Sequence, residues 1–157
     1  MRVQDVMKRS PKFCVAATNL ASAAELLWSG GCGALPVVDS HQKPVGIITD
    51  RDICIALGTR NCRPSQLVAD QVMARPVVTT RSTDDIHRAL RIMRTRQVRR
   101  LPVVDAEGKL EGMVCLSDLI VDARYNDGSK PELSYEDVMG TLKAVNCHQS
   151  PINIVGP

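Results

Sequence analysis

Short apolar runs bounded by Gly, Pro or polar turns alternate along this chain with segments whose apolar residues recur every three or four positions, a rhythm of strands and amphipathic helices. Phe13-Cys14-Val15-Ala16 reads as a short strand, followed by a helix with Leu20, Ala24 and Leu27 on one face. Two strands come next, Leu35 to Val38 and Val45 to Thr49, joined by the polar turn Asp39-Ser40-His41-Gln42-Lys43-Pro44. Asp50-Arg51-Asp52 then opens a helix that turns Ile53 and Leu57 inward. The same order follows a second time. A strand at Val77-Val78-Thr79 leads to a helix that Ser82 or Thr83 caps, with Asp84 and Asp85 near its positive end and Ile86, Leu90 and Met93 on one face. Leu101 to Val104, a turn at Ala106-Glu107-Gly108, and a helix opened by Leu116-Ser117-Asp118 with Leu119 and Ile120 inside complete it.

The recurrence is literal. Leu35-Pro36-Val37-Val38-Asp39 returns as Leu101-Pro102-Val103-Val104-Asp105, a displacement of 66 residues, and the same step carries Val6-Met7 to Val72-Met73, Gly46 to Gly112 and Asp52 to Asp118. Two β-α-β-β-α units therefore divide the chain at 1–64 and 65–124, with 125–157 as a C-terminal loop, helix and tail. Ser65 to Val72 is expected to begin the second unit as a short helix. A unit of about 60 residues is marginal alone, so the two are expected to pack through their sheets around a pseudo-two-fold axis. In the tail, Ser134 and Asp137 have capping-box spacing ahead of an apolar stripe of Tyr135, Val138, Met139 and Leu142. A helix docked within the chain or its dimer is expected there.

Composition narrows the functions. Of 157 residues, 44% are hydrophobic but only 3% aromatic, so the core is aliphatic and stacking platforms for single-stranded nucleic acid are hard to build. A net charge of +3 does not imply a polyanion partner, and no apolar run reaches the length of a membrane span. With no apolar leader after Met1, a cytoplasmic location is expected. None of the six cysteines stands in a CxxC spacing; Cys14, Cys54 and Cys115 lie in apolar segments and read as reduced, buried thiols. Cys147-His148 lacks a second metal-binding pair, and His41, His87 and His148 lack catalytic partners at useful spacing, so no metal, catalytic residue or catalytic cofactor is assigned.

The chemistry concentrates where the last strand of each unit meets its helix. Gly46-Ile47-Ile48-Thr49-Asp50-Arg51-Asp52, repeated as Gly112-Met113-Val114-Cys115-Leu116-Ser117-Asp118, resembles the signature of the CBS domain: a Gly, two aliphatics, Thr or Ser, two variable residues and Asp. The Leu-Pro-Val-Val-Asp strands and Val-Met openings are also similar to that family, and the tandem order resembles its paired form, the Bateman module. The resemblance implies an α+β fold and a regulatory, non-enzymatic module that binds AMP, ATP or a related adenosyl ligand such as NAD or S-adenosylmethionine in clefts between the repeats. It implies a homodimer and an unidentified protein target that reads the changed packing.

Asp52 and Asp118 are the expected ribose ligands, since a carboxylate accepts from both ribose hydroxyls. Thr49 and Arg51 would meet phosphate; Gly46 and Gly112 would let the backbone approach; Ile47 and Met113 would line a purine slot. The resemblance adds Ala34 and Arg100, each just before a Leu-Pro, and Ala16 and Thr80 at the first strands' ends. Cys115 departs from the family pattern and removes a hydroxyl, so the first unit's site is the stronger expectation. Arg88, Arg91, Arg94, Arg96, Arg99 and Arg100 form a basic run, of which Arg99 and Arg100 lie near the expected phosphate region. Nucleic-acid binding lacks a recognisable reading motif. The competing reading is a dimerisation scaffold with vestigial sites.

Overall fold

The computed structural model describes residues 1–125 and 132–147. Each unit forms a small sheet with helices against it. The first contains β2 (Cys14–Val15), α1 (Leu20–Ser29), β3 (Ala34–Val38), β4 (Pro44–Thr49) and α2 (Asp50–Arg60), after a two-residue β1 (Lys8–Arg9). The second contains β5 (Thr80–Arg81), α3 (Ile86–Arg96), β6 (Arg100–Val104), β7 (Leu110–Cys115) and α4 (Leu116–Asp122), and α5 (Tyr135–Asn146) follows. The 66-residue step holds down to register. Leu35 faces Ile48 as Leu101 faces Val114; β2 runs parallel to β3 as β5 does to β6; and the ladder slips at Val37/Val38 and again at Val103/Val104.

The expected strand at Val77–Thr79 falls instead on Thr80–Arg81, 66 residues beyond Cys14–Val15. Apolar content misplaced it; the repeat offset locates it. On α1 the buried face is Leu20, Ala23 and Leu27, with Ala24 exposed. Helix α3 is capped by Asp85, whose carboxylate accepts from the His87 amide, and not by Ser82 or Thr83. Ile120 is half exposed because the seven-residue α4 buries Leu116 and Leu119. Cys14 is buried as expected, Cys115 only partly, and Cys54 is exposed; all six thiols are free.

Two apolar clusters form, and each borrows residues from the opening segment of the other unit. Val3 and Met7 pack with Ile86, Leu90, Leu101 and Val114 of the second unit, and β1 adds an antiparallel edge to β7. Leu67, Ala69 and Met73 pack with Leu20, Leu35 and Ile48 of the first, where Ala74 and Ile47 exchange backbone hydrogen bonds of 2.8 and 3.3 Å. Residues 64–71 form two 3-10 turns, not the single helix expected over Ser65 to Val72. The exchange explains both glycines. A Cβ on Gly46 would collide with Met73, and one on Gly112 would lie 3.0 Å from the Lys8 carbonyl and against Met7. The units also meet at their hairpin turns, where the Leu110 amide donates to the Gln42 carbonyl at 2.9 Å. The first unit has no reciprocal bond at the matching position because Pro44 carries no N–H.

Helix α5 lies across α3 and α4. Ser134 and Asp137 form the capping box, and Val138, Thr141 and Val145 make the buried stripe, while Tyr135 and Met139 are half exposed. Arg94 donates to the Thr141 hydroxyl at 2.7 Å and to the Asp137 carbonyl at 2.9 Å, and Arg99 bonds to Asn146. Part of the basic run thus holds α5 in place. The expected loop at 126–131 lies outside the described residues; of the irregular tail expected from Asn146 on, Asn146 instead ends α5, and the residues from His148 lie outside the described ones.

Candidate functional site

The two strand-to-helix junctions share a backbone but not a chemistry. In the first, Thr49 caps α2: its hydroxyl accepts from the Asp52 amide at 3.1 Å and donates to Asp52 Oδ2 at 2.7 Å. The same Oδ2 accepts from the Thr49 amide at 2.9 Å. Asp52 is therefore engaged in its own helix start. It borders a small hollow of about 200 Å³ between α2 and the Gln71-Val72 turn.

In the second junction Cys115 stands where Thr49 does and makes no side-chain cap. Asp118 consequently turns elsewhere. Its Oδ1 pairs with the Lys8 ammonium at 3.1 Å, while its Oδ2 is buried without a hydrogen-bond partner. A buried carboxylate oxygen left unpaired costs about 1–3 kcal/mol. The Lys8 pKa is raised, first by the hydrogen bond to Asp118 and then by its charge. Burial raises the Cys115 thiol, and the Asp118 charge raises it further, which keeps the sulfur protonated and a weak donor near neutral pH.

Asp118 opens onto a cleft of about 680 Å³. Three segments wall it: Lys8 to Lys12 from the N-terminal arm, Ser29 to Ala34 from the end of α1 to the start of β3, and Arg100, Met113, Cys115 and Ser117 beside Asp118. It lies where the two units meet, and Arg100 reaches the first unit beside Gly33. The volume suits a nucleotide-sized ligand.

Of the twelve residues expected from sequence, Asp118, Met113, Arg100 and Ala34 line this cleft, and Gly112 lies under it against Met7 and the Lys8 carbonyl. Asp52, Thr49, Arg51, Gly46, Ile47, Ala16 and Thr80 do not. Arg51 is exposed, the Ala16 carbonyl accepts from the Asp70 amide, and the buried Thr80 hydroxyl bonds to Asp84 at 3.0 Å beside a different hollow. Sequence reasoning missed the arm, Lys8 to Lys12, and the Gly30-to-Gly33 turn. The available signal was the basic Lys8-Arg9-Lys12 group just after Val6-Met7.

The family model for the CBS domain matches twice, at residues 3–59 and 68–122. The chain belongs to the CBS domain family. Among curated relatives, an uncharacterized protein of Bacillus subtilis named YlbB is 32% identical over 135 residues, covering 85% of this chain and 89% of that protein. The uncharacterized protein MK0525 of Methanopyrus kandleri is 34% identical over 90 residues; the match spans 57% of this chain and 46% of that protein, so the chain covers under half of that relative. Solved CBS structures are similar as well, among them two at 26–28% identity. The CBS domain pair of protein MJ0100, in complex with 5′-methylthioadenosine and S-adenosyl-L-methionine, is 28% identical with a TM-score of 0.68, covering 76% of this chain and 92% of that one. The CBS domain protein PAE2072 from Pyrobaculum aerophilum, complexed with AMP, is 26% identical with a TM-score of 0.69, covering 76% of this chain and 90% of that one. No described helix is long and apolar enough to cross a membrane.

Proposed function

We propose that this tandem CBS pair is a cytoplasmic, non-catalytic sensor that binds an adenosine-containing ligand in the cleft beside Asp118 and passes the change in packing between its repeats to a protein target. The observation that carries the reading is Asp118 at the wall of a cleft of about 680 Å³ between the repeats, its carboxylate not taken up by a capping bond at its own helix start. A ribose hydroxyl donates to the Asp118 carboxylate once the side chain turns its buried Oδ2 out of the cleft wall, Met113 offers an apolar surface to the base, and the arm contributes cations. AMP and S-adenosylmethionine complexes of similar CBS proteins support an adenosyl ligand. The reading moves the primary site from Asp52 to Asp118, because Thr49 already occupies the Asp52 carboxylate.

Calorimetric titration with AMP, ATP, NAD and S-adenosylmethionine tests it. At least one saturates; Asp118→Ala weakens that binding by about 1.5–3 kcal/mol, the range for a hydrogen bond to a charged group, and Asp52→Ala leaves it within twofold. Absence of binding by all four at millimolar concentration overturns the reading.

A second reading, the dimerisation scaffold, is favoured by one observation. The groove lined by Ala24, Leu27, Trp28, Gly31, Cys32 and Ile53 on the first repeat lies 66 residues back from the surface that α5 covers on the second. Trp28, which stands where Arg94 does, is 89% exposed beside it. Two copies joined face to face there would cover both grooves. Trp28 is the single tryptophan, so its emission shifts to the blue with rising protein concentration if this face pairs. Unshifted emission, with a monomeric mass by light scattering, removes the scaffold.

A further inference from the structure

We infer that the Asp118 cleft selects phosphorylated adenosine ligands over neutral or cationic adenosyl ligands, and that Lys12 and Arg100 make the selection. The inference rests on the adenosyl reading above and narrows its ligand class. Four cations border the cleft, and two are already compensated: Lys8 by Asp118 at 3.1 Å and Arg9 by Glu111 at 3.1 Å. Lys12 and Arg100 have no ion-pair partner among the described residues.

Their placement is complementary. Lys12 comes from the arm and Arg100 from the first residue of β6, so they stand on different walls of one cavity. Arg100 reaches across the junction: its Nη2 would lie 3.0 Å from a Cβ on Gly33, and Asp50 Oδ2 would lie 3.5 Å from the same point without forming an ion pair. Gly33 therefore leaves room for the guanidinium. At position 115 a thiol, raised by burial and by Asp118 against the opposing pull of its hydrogen bond to Arg100, replaces the hydroxyl that could contact phosphate, which leaves the grip to the two cations. A phosphate dianion fits a site with two uncompensated positive charges. A sulfonium is repelled by them, and a neutral thioether gains nothing from them.

Titration of the full chain with AMP, ADP, 5′-methylthioadenosine and S-adenosylmethionine, in low salt and again in 0.5 M salt, reads the selection. The expected result is AMP and ADP at least tenfold tighter than 5′-methylthioadenosine, S-adenosylmethionine weakest, and a gap that narrows in high salt. In Lys12→Ala and Arg100→Gln, checked for native circular dichroism, the AMP preference shrinks by threefold or more while 5′-methylthioadenosine affinity holds within twofold. If 5′-methylthioadenosine or S-adenosylmethionine binds as tightly as AMP, the selection is overturned and the adenosyl site stands. If none of the four binds, the adenosyl reading fails and takes the selection with it. An AMP preference that survives both substitutions refutes the assignment to Lys12 and Arg100.

Discussion

The two CBS repeats share strand register to the residue, yet one spends its helix-opening aspartate on its own backbone and the other leaves it facing a cavity. The difference is a single atom group. Thr49 has a hydroxyl that both accepts from the Asp52 amide and donates to its carboxylate, closing a capping box. Cys115 has a thiol in the same place and closes nothing, so Asp118 retains an oxygen without a donor. On the proposed function, the repeat that is less well satisfied alone is the one that binds, because local satisfaction and ligand binding compete for the same lone pairs. The surroundings diverge in parallel. The second repeat carries α5 over its helices and the basic arm along β7, while the first keeps Trp28 uncovered.

The largest test removes what the second repeat borrows. A chain starting at Ser10 loses Val3 and Met7 from the second cluster and the β1 edge from β7. At about 1.5–3 kcal/mol for each buried apolar side chain, destabilisation of about 3–6 kcal/mol is expected in denaturant unfolding. Ligand binding should go with it, since Lys8 is lost and the cleft opens. A shortened chain with wild-type stability and affinity would show that the arm only rests on the surface.

A second test separates the cores by pH. Burial raises the Cys14 thiol to about 11 from an ordinary value of 9.0, whereas the equivalent residue in the second repeat, Thr80, does not ionise in this range. The folded state holds the proton more tightly than the unfolded chain. This contribution is fully present below pH 9 and is lost as pH rises to about 11, by up to about 2.7 kcal/mol at 1.36 kcal/mol per unit. Cys14→Thr, which copies the second repeat, should abolish that part of the alkaline loss; equal alkaline slopes for the two proteins would reject the assignment.

Sequence carried the fold further than the site, for a physical reason. The 66-residue step predicts which residues of β3 and β4 pair because register is set by local alternation and turn length, both readable along one dimension. It is silent on which copy Val6-Met7 and Val72-Met73 pack against, since either cluster accepts a valine and a methionine; only the close approach at Gly46 and Gly112 decides it. Lys8 and Lys12 therefore could not be assigned to a site formed around Asp118. The junction motif marked both aspartates, and the loss of the hydroxyl at Cys115 counted against the second. Its consequence for the Asp118 carboxylate became visible only when hydrogen-bond partners could be counted atom by atom.

The smallest expected effect discriminates most finely, because it exchanges the one group by which the junctions differ. Cys115→Thr gives Asp118 the hydroxyl donor that Asp52 has, and closing that capping box should stabilise the chain by about 1 kcal/mol. Thr49→Cys should cost about as much. If the free oxygen is what prepares the second junction, the added hydroxyl competes with the ribose, and adenosine-ligand affinity should fall severalfold as the melting temperature rises. Thr49→Cys should lower the melting temperature and leave that affinity alone. A rise in affinity together with stability in Cys115→Thr would mean that the hydroxyl serves the ligand directly, and the contrast between a satisfied and a poised aspartate would have to be abandoned.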